Sequence, residues 1–102
     1  MMADMQKLLE LLETTAELAR LYGSVIRPLA PVVREEIDSL LATGHDRDAL
    51  HAIRSRMTMD QLADEKEKMT ALSKRLRTRR ADAKDAVWAV IVAAAKIGIG
   101  LL

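Results

Sequence analysis

Cysteine and phenylalanine are absent from this sequence, proline occurs twice and glycine four times, and Tyr22 and Trp88 are its only aromatic residues. The missing thiol removes disulfides, thiolate metal ligands and cysteine nucleophiles at once. With so few rings, the apolar half of the composition comes from Leu, Ile, Val, Ala and Met. Such side chains interdigitate between helices more readily than they supply the cross-strand pairs of a sheet. Scarce helix breakers imply long uninterrupted helices. The 102 residues suit one domain with one modest core. The expected fold is all-α: a short bundle of about three helices plus a long projecting C-terminal helix that ends in an apolar tail.

Constellations that carry chemistry are missing too. His45 and His51 are spaced too far apart for the zinc pair of a helical HExxH motif. Asp46 and Asp48 begin like a calcium loop, but Met57 stands where its bidentate glutamate belongs and no glycine marks its middle. They read as helix-start acids. The adjacent acids Glu35 and Glu36, and Asp64 and Glu65, diverge on a helix and suit a solvated face better than paired acid and base work. Gly98 and Gly100 precede no helix, so they form no phosphate loop; they loosen the chain end or thin a packing face. No catalytic residue, cofactor, metal or small-molecule substrate is expected.

Net charge is +1, but it is unevenly spread. Residues 1–67 hold eight basic and thirteen acidic side chains, whereas residues 68–102 hold eight basic and two acidic. The basic second half is expected to meet an anionic partner. The opening Met1, Met2, Ala3 and Asp4, followed by Lys7, Glu10 and Glu13 among leucines, lacks the basic-then-apolar order of a secretory signal. A cytoplasmic N-terminus is the expectation.

Organisation follows from periodicity and punctuation. Leu8, Leu11, Leu18, Tyr22 and Val25 recur at helical spacing and form the expected packing stripe of an N-terminal helix, Thr15 filling one of its gaps. Pro28 and Pro31 end that helix, placing a kink or linker at residues 27–30. Pro31 suits the first turn of a second helix with Val33, Ile37, Leu40 and Leu41 inward and Gly44 as its C′ residue. Asp46 is expected to cap a third, with Leu50, Ile53 and Met57 inward. Thr58 and Gln61 make a capping box that opens a fourth. These elements divide the chain into an N-terminal helical region, 1–57, and a C-terminal one, 58–102. With no glycine or proline between Thr58 and Ile97, that last helix is expected to run about forty residues, roughly 60 Å. Leu62, Met69, Leu72 and Leu76 would form its stripe. A helix of that length cannot fit a domain of this size and is expected to project towards partner helices.

Along it, Lys74, Arg75, Arg77, Arg79, Arg80 and Lys84 oppose only Asp82, and Trp88 and the apolar residues 86–102 follow. A cationic collar, a tryptophan and an apolar run is the order of a membrane crossing, with the collar on headgroups or another anionic partner. As helix the tail spans only about 25 Å against a hydrocarbon core of about 30 Å. Its eight larger aliphatic residues contribute about −4 kcal/mol and Lys96 takes back up to about 3. Insertion of one copy is marginal, so assembly is expected. Ala86, Ala89, Ala93, Lys96 and Gly100 share one face on which backbones could approach closely, with Lys96 hidden in a bundle. The cations could also hold nucleic acid, without sequence preference, because no aromatic or amide residues interleave with them.

The layout of residues 74–102 resembles that of small phage lysis proteins of the holin and haemolysin kind, in which basic residues and a tryptophan lead into a C-terminal membrane helix. That resemblance implies a membrane-associated homo-oligomer anchored by its tail. The alternative is a soluble structural subunit of a larger assembly, such as a phage virion, with the tail buried between subunits.

Overall fold

The computed structural model describes the backbone of residues 2–76 and 83–100, and its regular structure is entirely helical: α1 Met2–Ile26, α2 Pro31–Ala42, α3 Asp46–Arg54, α4 Met59–Arg75 and α5 Ala83–Ile99. Local signals place most of the ends. Gly23 does not interrupt α1, which stops ahead of Pro28. Pro31 occupies the first turn of α2, where its missing N–H leaves no bond unmade. Gly44, at φ +81°, closes the same helix. The His45 amide donates to the Leu40 carbonyl at 2.8 Å and the Gly44 amide to that of Leu41 at 3.4 Å, the two bonds of a Schellman motif. The capping box forms as well: the Gln61 amide donates to Thr58 Oγ1 at 3.1 Å and the Thr58 amide to Gln61 Oε1 at 2.9 Å. One cap differs from expectation. His45, not Asp46, holds the N-cap position of α3 and makes no side-chain capping bond, while Asp46 and Asp48 lie in the first turn, where acids favour the helix dipole.

The long projecting helix is replaced by a hairpin. Helix α4 ends at Arg75, and α5 returns beside it, so that Met69 and Ser73 line one groove with Val87, Trp88 and Ile91. Contacts along α1 give the directions. Glu10 meets Arg75, Glu17 meets Lys68 and Tyr22 meets Glu65, so α4 runs antiparallel to α1. Gly98 lies against Ala19 and Gly23, so α5 runs parallel to α1 and packs mainly upon it. The radius of gyration, 13.9 Å, is that of a folded-back chain of this length.

Burial explains the reversal. A continuous helix would leave the most apolar segment in water, whereas the hairpin buries Val87, Ile91, Val92, Ala94 and Ala95 in the core. Each larger aliphatic side chain gains roughly 1.5–3 kcal/mol from burial. The tail is therefore the protein's own central helix, packed with Leu18, Tyr22, Ile37, Leu50, Ile53 and Leu72. No helix among the described residues is long and apolar enough to cross a membrane.

Candidate interaction surface

The open surface begins on α1. Met5, Leu12, Ala19 and Ile26 recur every seven residues and share one stripe. Its lower half is sealed, Ala19 at 7% exposure and Ile26 at 2%, but Met5 retains 60% and Leu12 57%. Leu8 at 50% and Leu9 at 54% widen the open half into an apolar ridge. Four such side chains, of order 100 Å² apiece, make a patch of about 400 Å², within the range of functional patches on small proteins. Of the expected N-terminal packing residues, Leu18, Tyr22 and Val25 are buried and Leu11 is partly so, but Leu8 belongs to the ridge. Leu9, Leu12 and Met5 lay outside the expected stripe. Their signal is the doubled leucine: Leu8 with Leu9 and Leu11 with Leu12 supply two adjacent helix faces where one core needs only one.

The described collar residues, Lys74, Arg75 and Lys84, do not act as one group. Lys74 and Lys84 are exposed, while Arg75 Nε donates to Glu10 Oε2 at 3.1 Å, tying the end of α4 to α1. Arg77, Arg79 and Arg80 lie outside the described residues. Trp88 is half-buried between two grooves. An apolar one of about 310 Å³ holds Met69, Val87 and Ile91, and a wider one of about 760 Å³ is lined by Arg47, Asp48, His51, Arg54, Lys84 and Asp85. The wider groove mixes both signs of charge and converges on no single point. Among the described residues no three His, Asp or Glu side chains could hold a metal ion together.

The tail's small-residue face turns away from its own core. Ala89 and Gly100 are exposed and Ala86, Ala93 and Lys96 intermediate, whereas the inward face is Val87, Ile91, Ala94 and Ala95, with Gly98 set against α1. Within one chain α1 and α5 approach closely at Gly98 and Gly23, and the stripe through Ala89 lies on the outer face of α5.

Beneath the surface sits one polar cluster centred on Glu65, a residue expected on a solvated face. Glu65, 4% exposed, accepts the Tyr22 hydroxyl at 2.5 Å on Oε2 and the Arg54 Nε–H on both oxygens, at 2.9 and 3.0 Å. It joins α1, α3 and α4 at one point. Burial, reinforced by the Glu65 carboxylate, raises the Tyr22 hydroxyl far above its ordinary value of 10.0. The folded protein therefore keeps this proton at pH values where the unfolded chain has released it. The corresponding stability is complete below about pH 10 and declines above it by about 1.4 kcal/mol per pH unit. Urea titrations between about pH 9 and 11 are expected to show that extra slope in the native protein and not in Tyr22→Phe. Parallel slopes for the two proteins would refute it.

Comparison with known protein families, curated proteins and solved structures yields no match.

Proposed function

We propose that this is a non-enzymatic helical assembly protein whose working surface is the open half of α1 rather than its C-terminal tail. The observation that carries the reading is the ridge of Met5, Leu8, Leu9 and Leu12, half or more exposed on a stripe that the same protein seals further along. A helix face of this kind serves by packing against another apolar surface. The role fits the soluble-subunit version of the sequence reading, a building block of a larger particle, in which α5 stays in the core and α1 makes the joint.

A membrane-surface version has one observation in its favour. Lys74 and Arg75 lie at the ridge end of the bundle, and residues 77–80 add three arginines in sequence. Against it, the polar side of α1 beside the ridge carries Glu10, Glu13 and Glu17 to one Lys7, the reverse of the cationic face that interfacial helices use on anionic lipid. We therefore place the protein version first.

Size-exclusion chromatography with light scattering, over a roughly hundredfold range of protein concentration, tests the reading. The native chain is expected to weigh more than its 11.3 kDa monomer as concentration rises. Leu9→Gln with Leu12→Gln is expected to hold it at the monomer mass with an unchanged circular dichroism spectrum, because both side chains are exposed. A native protein that stays monomeric throughout refutes the assembly role.

A further inference from the structure

We infer that the two grooves meeting at Trp88 form one binding site for an amphiphilic anion, a single flexible apolar chain ending in a carboxylate, with the chain in the smaller groove and the acid head on Lys84 and Arg54. The inference goes beyond the assembly reading, and no residue of α1 lines either groove. Lys84 and Trp88 belong to both grooves, so the two are continuous, but they differ in character. The smaller is walled by Met69, Val87 and Ile91, with Ser73 as its one neutral polar residue. Its volume, about 310 Å³, lies at the lower end of the range of small-molecule sites, roughly 300–1,000 Å³. A compact polar ligand would need the wider groove to converge on one point. A ligand with two unlike ends needs only an apolar part and a charged boundary.

Charge at that boundary selects the head. Arg47, His51 and Arg54 are spaced i, i+4 and i+7, so α3 turns one basic face to the wider groove. Two cations stand where the grooves join: Lys84, which lines both, and Arg54, whose Nη2 lies 3.8 Å from the sulfur of Met69 on the apolar wall. The acids Asp48 and Asp85 line the wider groove alone. A chain seated in the apolar part therefore brings its head out between two positive charges. Arg54 is also held for the task. Its Nε–H donates to both oxygens of buried Glu65, at 2.9 and 3.0 Å, which fixes the plane of the guanidinium. Its Nη2 meets a thioether, a weak acceptor that a carboxylate oxygen would displace. Among the described residues Lys84 belongs to no ion pair. A cationic head would be repelled at this boundary, and a neutral one would gain nothing from either charge.

Trp88 is the one tryptophan of the sequence, so its emission reports on this site directly. The probe is decanoate, with decanol and decyltrimethylammonium as its neutral and cationic counterparts, each titrated below its micelle concentration and followed by fluorescence and calorimetry. Decanoate is expected to bind saturably, with a Kd on the order of 100 μM and a blue shift of the Trp88 emission, and the other two at least about tenfold more weakly. Ser73→Leu, at an exposed position on the wall of the apolar groove, is expected to fill it and remove binding. Lys84→Gln, also exposed, is expected to weaken decanoate about tenfold and leave decanol unchanged. Leu9→Gln with Leu12→Gln, on the α1 ridge, is expected to leave decanoate binding within about twofold of native, and circular dichroism confirms that each variant is folded. Absence of saturable binding overturns the inference, as does decanol or decyltrimethylammonium binding as tightly as decanoate, or indifference to Lys84→Gln. Loss of binding in the ridge variant but not in Ser73→Leu would place the chain on α1 and overturn it equally. The assembly role is read separately, from the mass of the native chain without ligand.

Discussion

Replacing Gly98 with leucine is expected to abolish cooperative unfolding altogether, and replacing it with alanine to lower the urea midpoint enough to correspond to about 1–3 kcal/mol. The reason is a backbone-to-backbone approach. A Cβ at position 98 would stand 2.8 Å from the Ala19 carbonyl oxygen, 3.0 Å from the Gly23 nitrogen and 3.3 Å from Tyr22 Cβ. The first two atoms belong to the frame of α1 and cannot rotate aside as a flexible side chain would. Relief must come from sliding α5 away from α1, the most extensive helix–helix contact in the bundle. Alanine's better helix propensity returns up to about 1 kcal/mol, which is why the smaller substitution is survivable. Leucine adds three further carbons to the same gap in a protein whose total stability lies in the usual range of about 5–15 kcal/mol. The other glycines rank the effect. At Gly23 the new Cβ would lie 3.3 Å from the Gly98 carbonyl oxygen, a tight contact set against the same propensity gain, so Gly23→Ala is expected to stay within about 1 kcal/mol of native. Gly44→Ala meets no atom but must hold φ +81°, at a cost of about 1 kcal/mol. A Gly98→Ala protein as stable as the native one would show that the helices are not held this closely.

Gly98 also marks where sequence reasoning reaches its limit. The ends of α2 and the start of α4 are legible because caps are local: Pro31, Gly44, Thr58 and Gln61 act within four or five residues of themselves, and each stands at the end it signals. The end of α4 is not legible, because residues 76–82 contain neither glycine nor proline. The return of α5 onto α1 follows from the burial that α5 gains there, and no local pattern records a contact between positions 23 and 98. The same holds for the tail. A run of Val, Ile and Ala reads alike whether its solvent is lipid, another subunit or the remainder of its own chain, and the third case is the one the described residues adopt. In the candidate surface, by contrast, a signal is present. Leucines doubled at 8 with 9 and 11 with 12 cannot all face one core, since neighbours on a helix point about 100° apart. At least one of each pair must be left over: Leu12 is in the second, and both Leu8 and Leu9 are in the first.

Glu65→Leu is expected to destabilise the protein by about 2–4 kcal/mol, the second large effect, and pairing it with Tyr22→Phe to return roughly 1–2 of that. In the native cluster the carboxylate satisfies a hydroxyl from α1 and a guanidinium from α3, so it is the common acceptor for two donors. Leucine fills much the same volume, and the loss is therefore chiefly one of unmade bonds rather than of a cavity. The two donors do not suffer equally. The Arg54 side chain is 31% exposed and can turn towards water, whereas Tyr22 is fully buried and its hydroxyl has nowhere else to go. Most of the penalty should therefore sit on the tyrosine, and removing that oxygen removes it. A double-mutant cycle read from urea midpoints makes the comparison: native, Glu65→Leu, Tyr22→Phe and the pair. Replacing both partners with apolar groups should leave the pair more stable than Glu65→Leu alone. Additive effects would instead assign the cost to the stranded Arg54, and Arg54→Met in the Glu65→Leu background would then recover what Tyr22→Phe did not. Glu65→Gln discriminates further. Its carbonyl can still accept the Tyr22 hydroxyl, but its NH₂ would face the Arg54 donor, so it should lose the pairing with α3 while retaining that with α1.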